Sequence, residues 1–330
     1  MKKLLITGGT GSGKTYVSFN KYAEGRTAYL APTTLLAWEC FAKYGKPDDT
    51  LIAGGVKINS KRKENYFGLY AVELNKNFIK DFDTVIIDEC HFCFNFPQQE
   101  ATVKRIIKKF KGNIILVTAT IDFTPPVGFT IIEESPKHEF NKIERTYRTV
   151  IKRMNKGIKT LVICQRMIDM EMFECKVPHL RISALTRKID LYNAVDKFES
   201  GEITTLIATN VAAQGINLDC ENLIIIEFRD FGFGSIQEQK LGRLGRFGLT
   251  DKKTQLTYHI DEERYSNDMN NYEIMEYQKD YNDFNSQIPH VNKSDSDYRE
   301  EPLTSQEITF ITEKLLDKQR KNKIALIERL

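Results

Sequence analysis

LLITGGTGSGKT, residues Leu4 to Thr15, is the stretch on which the reading of the whole chain turns. Leu4, Leu5 and Ile6 form the apolar run of a short buried strand. The glycines Gly8, Gly9, Gly11 and Gly13, interleaved with Thr10 and Ser12, then permit a tight loop in which larger side chains would clash. Lys14 and Thr15 complete the spacing G-x-x-x-x-G-K-T. Such a loop turns consecutive backbone N–H groups toward a di- or triphosphate, and the helix starting near Lys14 adds its positive end. The Lys14 ammonium then reaches the β- and γ-phosphates, and the Thr15 hydroxyl is a ligand for Mg²⁺. The plain alternative is a glycine-rich turn without a ligand; strand, loop and helix in the required order weigh against it.

Outward from the loop, Tyr16 to Ala23 continues as a helix, Thr27 to Ala31 reads as a strand, and a further helix follows Pro32, Thr33 and Thr34 to about Lys43. This β-α-β order is that of a parallel sheet. Strands are expected at Thr50 to Ala53, Phe67 to Leu74, Thr84 to Asp88 and Asn113 to Thr118, with a helix from about Gln98 to Phe110. One α/β domain then spans 1–134. Pro125, Pro126, Gly128, Ser135 and Pro136 break the pattern, and the polar run through Lys142 reads as a connection, 135–142. A second α/β cycle covers 143–262. Its strands are expected at Thr160 to Cys164, Leu180 to Ser183, Ile203 to Ala208, Leu223 to Glu227 and Gln255 to Ile260, and its helices at Met167 to Phe173, Lys188 to Glu199 and Ser235 to Phe247. Residues 263–301 are rich in Asn, Asp, Tyr and Ser, a loose surface segment in composition. Beyond it Thr304 and Glu307 have the spacing of a capping box, and Ile308, Ile311, Leu315 and Leu316 repeat at helical period, so a terminal helix closes the 263–330 extension.

At 330 residues and 41% hydrophobic, the chain can bury more than one core. A net charge of +3 gives no global signal for nucleic acid, so any such binding rests on local groups. Six cysteines set in apolar or motif segments suit reduced thiols in a cytosol-like compartment better than a disulfide framework. No apolar run reaches the ~20 residues of a membrane span, and the chain reads as a soluble cytoplasmic protein with no membrane partner.

A phosphate loop needs a metal partner and a group that activates water, and TVIIDE, Thr84 to Glu89, offers both at a strand end. Asp88 would hold the Mg²⁺ shell and Glu89 would orient and deprotonate the attacking water. The string continues to Cys90 and His91, and Asp88-Glu89-Cys90-His91 with the first loop resembles the DExH form of the superfamily 2 helicases. The resemblance runs in order to near Gly248. Ala31 to Thr34, APTT, matches the nucleic-acid-contacting segment after the second strand, which implies strand contacts for Pro32, Thr33 and Thr34. Thr118-Ala119-Thr120 matches the element that couples the nucleotide site to the strand site, with His91 in the same role. Val162 to Gln165 lies where the second domain begins its backbone contacts. ATNVAAQGIN, Ala208 to Asn217, resembles the fifth motif, giving Thr209 a phosphate contact and Gly215 a γ-phosphate-sensing amide. QKLGRLGR, Gln239 to Arg246, matches the sixth motif, whose Gln239, Arg243 and Arg246 would face the γ-phosphate. Arg243 and Arg246, three apart on the expected helix, share one face and would stabilise transition-state charge.

The match departs from the family at Asn210, Gln214 and Asn217, where aspartate, arginine and aspartate are commoner. Only seven residues precede the phosphate loop, so the adenine-reading glutamine motif of the DEAD-box branch is expected to be absent and base selectivity is left open. The spacing Cys90-His91-Phe92-Cys93 is that of half a zinc site, but no second pair lies nearby in sequence. Phe231 and Phe233 could stack on bases or pack beneath their loop. The expected strand Leu223 to Glu227 and the loop Arg229 to Gly234 take up most of Leu218 to Glu238, which leaves no room for the inserted duplex-splitting hairpin found in several members of the family. The resemblance implies two tandem RecA-like parallel-sheet domains with a C-terminal helical extension, hydrolysing ATP with Mg²⁺ to move along or remodel DNA or RNA. A protein partner could engage the C-terminal segment. The rival reading is an ATP-switched clamp on nucleic acid or protein that does not translocate. A metabolite kinase would leave the arginine pair and the second domain without a role.

Overall fold

The computed structural model describes residues 1–9, 12–60, 64–70, 78–95, 97–119, 121, 123–134, 143–144, 147–165, 167–183, 185–209, 218–226, 256–260 and 302–327. It falls into two compact units, one built from 1–139 and 303–330, the other from most of 140–302.

The first unit is built on an eight-stranded sheet. Its strands are β1 (Lys3–Thr7), β2 (Thr27–Ala31), β3 (Thr50–Ala53), β4 (Val56–Ile58), β5 (Tyr66–Leu69), β6 (Thr84–Ile87), β7 (Asn113–Val117) and β8 (Thr130–Glu133), in the order β4-β3-β5-β2-β6-β7-β1-β8. Every neighbouring pair is parallel except β3 with β4. The central strands β2, β6 and β7 are buried along their whole length, as a parallel sheet covered on both faces requires. Val103, Ile106 and Phe110 face that core from the helix Pro97–Lys109 and its end, leaving the lysines outside.

Local chemistry accounts for where the observed elements depart from the sequence expectation. β3 and β4 form a hairpin through Gly54 and Gly55, both at positive φ (58° and 90°), the geometry that a two-residue turn demands and glycine supplies. β8 falls inside the first domain, ahead of the expected connection, at a place where no strand is expected, because this edge strand is short and mostly exposed. The expected helix from Tyr16 is a short α-turn, Lys14–Val17, that widens over Ser18–Tyr22, with Ala23 N donating to Ser18 O at 2.9 Å, an i to i+5 bond. The buried Ser18 hydroxyl bonds back to Thr15 O at 2.8 Å. The fifth strand ends at Leu69; the rest of the expected run, 71–74, lies outside the described residues.

The second unit has a six-stranded, wholly parallel sheet of β9 (Ile143–Glu144), β10 (Thr160–Cys164), β11 (His179–Ile182), β12 (Thr205–Thr209), β13 (Asn222–Ile226) and β14 (Leu256–Ile260), in the order β11-β12-β10-β13-β14-β9. Helix Tyr147–Met154 packs on β13 and β14, and helix Lys188–Ser200 on β11 and β12. The buried Asn222 ties one side of this core together, its amide donating to Val150 O at 3.1 Å and to Thr160 Oγ1 at 3.0 Å. The expected helix Ser235 to Phe247 lies outside the described residues.

The terminal helix, Ser305–Ile327, packs on the first unit against helix Thr34–Tyr44 and β4. It opens with a capping box: Glu307 N donates to Thr304 Oγ1 at 3.3 Å, and Thr304 N to Glu307 Oε2 at 2.8 Å. Ile311 and Leu315 are buried at the contact. Gln319 Nε2 donates to Lys46 O at 3.3 Å and Asn322 Nδ2 to Ala42 O at 3.1 Å, supplying donors where the Thr34–Tyr44 helix runs out of its own. Among the described residues no helix is long and apolar enough to cross a membrane.

Candidate nucleotide site at the edge of the first sheet

Because β1, β2, β6 and β7 run parallel, their C-terminal ends share one edge, and the residues that follow them are gathered there. Backbone bonds extend the ladder past the strand ends. Asp88 N donates to Leu30 O at 3.0 Å, Cys90 N to Val117 O at 2.9 Å, and Thr118 N to Ile6 O at 3.1 Å. β7 lies between β1 and β6, so the phosphate loop must reach across one strand to meet the carboxylates.

It does so through Thr15, whose hydroxyl donates to Asp88 Oδ2 at 3.1 Å across 73 positions of sequence. The Lys14 side chain is buried, its Nζ donating to Gly8 O at 2.6 Å and Gly9 O at 2.9 Å, with Ser12 Oγ at 3.4 Å. Two glycines of the loop cannot be replaced freely. Gly8, at φ 136°, would place a Cβ 2.0 Å from Glu134 O; Gly13, at φ 84°, has open space but a left-handed backbone. Thr10 and Gly11 lie outside the described residues.

Asp88 is buried and fully engaged. Tyr29 Oη donates to its Oδ2 at 2.6 Å, Thr15 shares that oxygen, and Glu89 N donates to Oδ1 at 2.9 Å. Burial, with the adjacent Glu89 charge, pushes the Asp88 carboxyl above the usual range, and the three hydrogen bonds pull the other way. Hard oxygen donors from a carboxylate and a hydroxyl, in contact beside a buried lysine, fit a magnesium–phosphate group. When bound, the metal would neutralise charge on the phosphate oxygens, held by Asp88 and Thr15.

Glu89 stands at φ 47°, a left-handed conformation costing about 1–3 kcal/mol for a residue of this kind. Its Oε2 has no hydrogen-bond partner among the described residues and lies 3.5 Å from His91 Nδ1, a close polar approach rather than a hydrogen bond. The same His91 nitrogen lies 3.2 Å from Thr118 Oγ1, and both groups are buried. Glu89, His91 and Thr118 thus form a continuous polar line from the end of β6 to the end of β7. Thr120 lies outside the described residues.

Pro32, Thr33 and Thr34 follow β2 at the same edge. Thr33 is the N-cap of the helix behind it, its Oγ1 accepting from Leu36 N at 3.3 Å, which leaves the hydroxyl proton to donate elsewhere. In the second unit Gln165 follows β10 and Thr209 ends β12, the adjacent strand, so these two also share an edge. Gly215, Gln239, Arg243 and Arg246 lie outside the described residues, as do Phe231 and Phe233. Cys90 and Cys93 are buried free thiols in the first core, and among the described residues no group of three or more His, Cys, Asp or Glu side chains is gathered as a metal cluster.

Tyr29 and Cys40 belong to the site and were not picked out by motif. Cys40 Sγ donates to Tyr29 Oη at 3.0 Å, completing a buried line from Cys40 through Tyr29 to Asp88. The one signal in sequence is a hydroxyl in TAYLA, a strand buried on both faces, where such a group must find a partner.

The DEAD/DEAH box helicase domain matches residues 1–127 and the helicase conserved C-terminal domain residues 141–248. Among curated proteins, the chain is 22% identical over 298 residues to the ATP-dependent DNA helicase RecG of Thermotoga maritima, covering 74% of this chain and 38% of that protein. It is 24% identical over 278 residues to the mitochondrial ATP-dependent RNA helicase SUV3 of Candida albicans, covering 75% and 38%. The chain thus spans well under two thirds of these relatives. Among solved structures, S. cerevisiae Dbp5 bound to RNA and ADP BeF3 superposes with a TM-score of 0.56 at 15% identity, covering 80% of this chain and 81% of that one, a likeness of fold. The two parallel sheets are those of paired RecA-like domains, and with both helicase domains matched in order along the sequence, the chain belongs to the superfamily 2 helicases.

Proposed function

We propose that the chain is an ATP-dependent nucleic acid helicase or translocase of the DExH type, hydrolysing ATP with Mg²⁺. The observation that carries this reading is the contact of Thr15 with the buried Asp88 beside Lys14, which unites the phosphate loop and the carboxylate pair in one site. In this reading residues 1–134 bind the nucleotide, 135–142 connect, and 143–262 carry the second half of the machinery. Lys14 and the loop amides hold the phosphates, Asp88 and Thr15 the metal shell, and Glu89 takes the proton of the attacking water. Gly215, Gln239, Arg243 and Arg246 act on the γ-phosphate. Pro32, Thr33, Thr34, Gln165 and Thr209 contact the strand's phosphates, and His91, Thr118 and Thr120 link the two events. The polar line from Glu89 through His91 to Thr118 supports that link. Contacts of this kind carry no base code, so DNA and RNA are both admitted. A protein partner at the terminal helix would use its outer face, where Phe310 and Ile324 are exposed, since Ile311 and Leu315 are buried within the chain.

The test is the ATPase rate of the purified chain with and without single-stranded DNA or RNA. Stimulation by either supports the reading. A nucleotide that binds and is hydrolysed at a rate indifferent to both would favour the metabolite kinase or a protein-directed switch, and strand binding under ATP without stepping would favour the clamp.

A further inference from the structure

A carboxylate that works in a metal shell must be held in one rotamer, and at Asp88 the shortest bond doing so comes from a residue outside every motif. Tyr29 Oη donates to Oδ2 at 2.6 Å, within the range of charge-assisted O–H···O bonds. The tyrosine is itself fixed on all sides. Its ring lies 5.4 Å from that of Phe19 and 5.7 Å from that of Phe67, and its oxygen accepts from Cys40 Sγ at 3.0 Å. Phe19 reaches this place from the widened turn Ser18–Tyr22 that follows the phosphate loop. The other two donors to Asp88, the Thr15 hydroxyl and the Glu89 amide, belong to the phosphate loop helix and to the carboxylate pair itself. Among the described residues, Tyr29 is therefore the donor to Asp88 that comes from the buried sheet strand β2 and belongs to neither.

We propose that Tyr29 is a positioning residue for the magnesium carboxylate, setting the orientation of Asp88 through its hydroxyl and so the affinity of the site for the metal. The proposal rests on the reading of Asp88 as part of the Mg²⁺ shell. Outer hydrogen bonds to metal-ligating groups orient them, and their removal typically costs 10–100-fold in metal affinity, roughly. A tyrosine that merely fills the core would contribute through its ring, which phenylalanine reproduces.

The test is a Mg²⁺ titration of a fluorescent ATP analogue bound to the full chain, compared with binding of the same analogue in EDTA. Tyr29→Phe should raise the Mg²⁺ concentration for half-maximal effect about tenfold while leaving binding in EDTA unchanged. An unchanged Mg²⁺ midpoint overturns the proposal, as does an equal loss with and without the metal, the mark of disturbed packing. If Tyr29→Phe does not fold, Cys40→Ala removes only the thiol that steadies the tyrosine hydroxyl; a smaller shift in the same direction supports the proposal and none overturns it. A parent chain that binds the analogue identically with and without Mg²⁺ would sink the metal reading of Asp88, and the proposal with it.

Discussion

Glu89 and Asn59 are the non-glycine residues at positive φ among the described residues, and Glu89 is the one at the candidate site. It adopts a left-handed backbone directly after the strand, and its carboxylate lies near His91 instead of on a hydrogen-bonding partner. Such strain persists where the surroundings enforce it, here the backbone bonds Asp88 N to Leu30 O and Cys90 N to Val117 O on either side. Glu89→Gln should keep nucleotide affinity while turnover falls by roughly 10²–10⁴, the loss expected of a positioned base. Hydrolysis at the parent rate in a steady-state assay would refute that role. The loop glycines offer a second check at this scale. Gly13→Ala meets no atom within 4 Å and should cost only the left-handed penalty, about 1–2 kcal/mol. Gly8→Ala would drive a Cβ into Glu134 O and should be far more disruptive. Thermal unfolding of the two variants ranks them, and equal melting points would contradict the close approach of the β1 and β8 ends.

Among the elements, the terminal helix shows how a segment far along the chain becomes part of the first domain. Its apolar stripe supplies Ile311 and Leu315 to the contact with helix Thr34–Tyr44, Asn322 donates to that helix's Ala42 carbonyl, and Gln319 donates to the Lys46 carbonyl just past its end. Leu315→Ala should therefore destabilise the first unit by about 2–5 kcal/mol, the range for a buried leucine truncated to alanine. Denaturant unfolding followed by the emission of Trp38, fully buried on the helix that the terminal helix covers, reads this directly. An unchanged Trp38 transition would show that the terminal helix contributes nothing to this unit. The helix itself was legible because Thr304, Glu307 and the apolar period are local signals. Where it docks was not, because an amphipathic stripe specifies an apolar partner without naming one.

For the whole molecule, Arg243 and Arg246 on one side and the phosphate loop on the other fall in different matched domains, and this order has a kinetic consequence in the proposed reading. In the proposed reading Arg246 engages the nucleotide mainly in the transition state, so Arg246→Ala should lower turnover much more than ATP affinity. Equal losses in both, from steady-state and equilibrium titrations, would mark Arg246 as a simple phosphate ligand. The short interval Leu218 to Glu238 between the fifth and sixth motifs leads to a second expectation. With no room there for two further strands of about five residues and a turn, the chain should unwind long blunt duplexes weakly while its ATPase responds to single strands. Efficient unwinding that survives Phe231→Ala with Phe233→Ala and removal of the tail would contradict it.

The sequence by itself determined the order of most elements and marked the residues on which the proposed function rests. Phosphate loops, carboxylate pairs and apolar strand runs are short-range patterns, and LLITGGTGSGKT, TVIIDE and TLVIC announce themselves within a few positions. Only the tertiary structure decided that β7 separates the two halves of the nucleotide site, that β8 closes the sheet beside β1, and that Tyr29 and Cys40 stand behind Asp88. Strand order is fixed by crossovers and a buried hydroxyl's partner by packing. Both are relations between residues tens of positions apart, and no local window of the chain contains them.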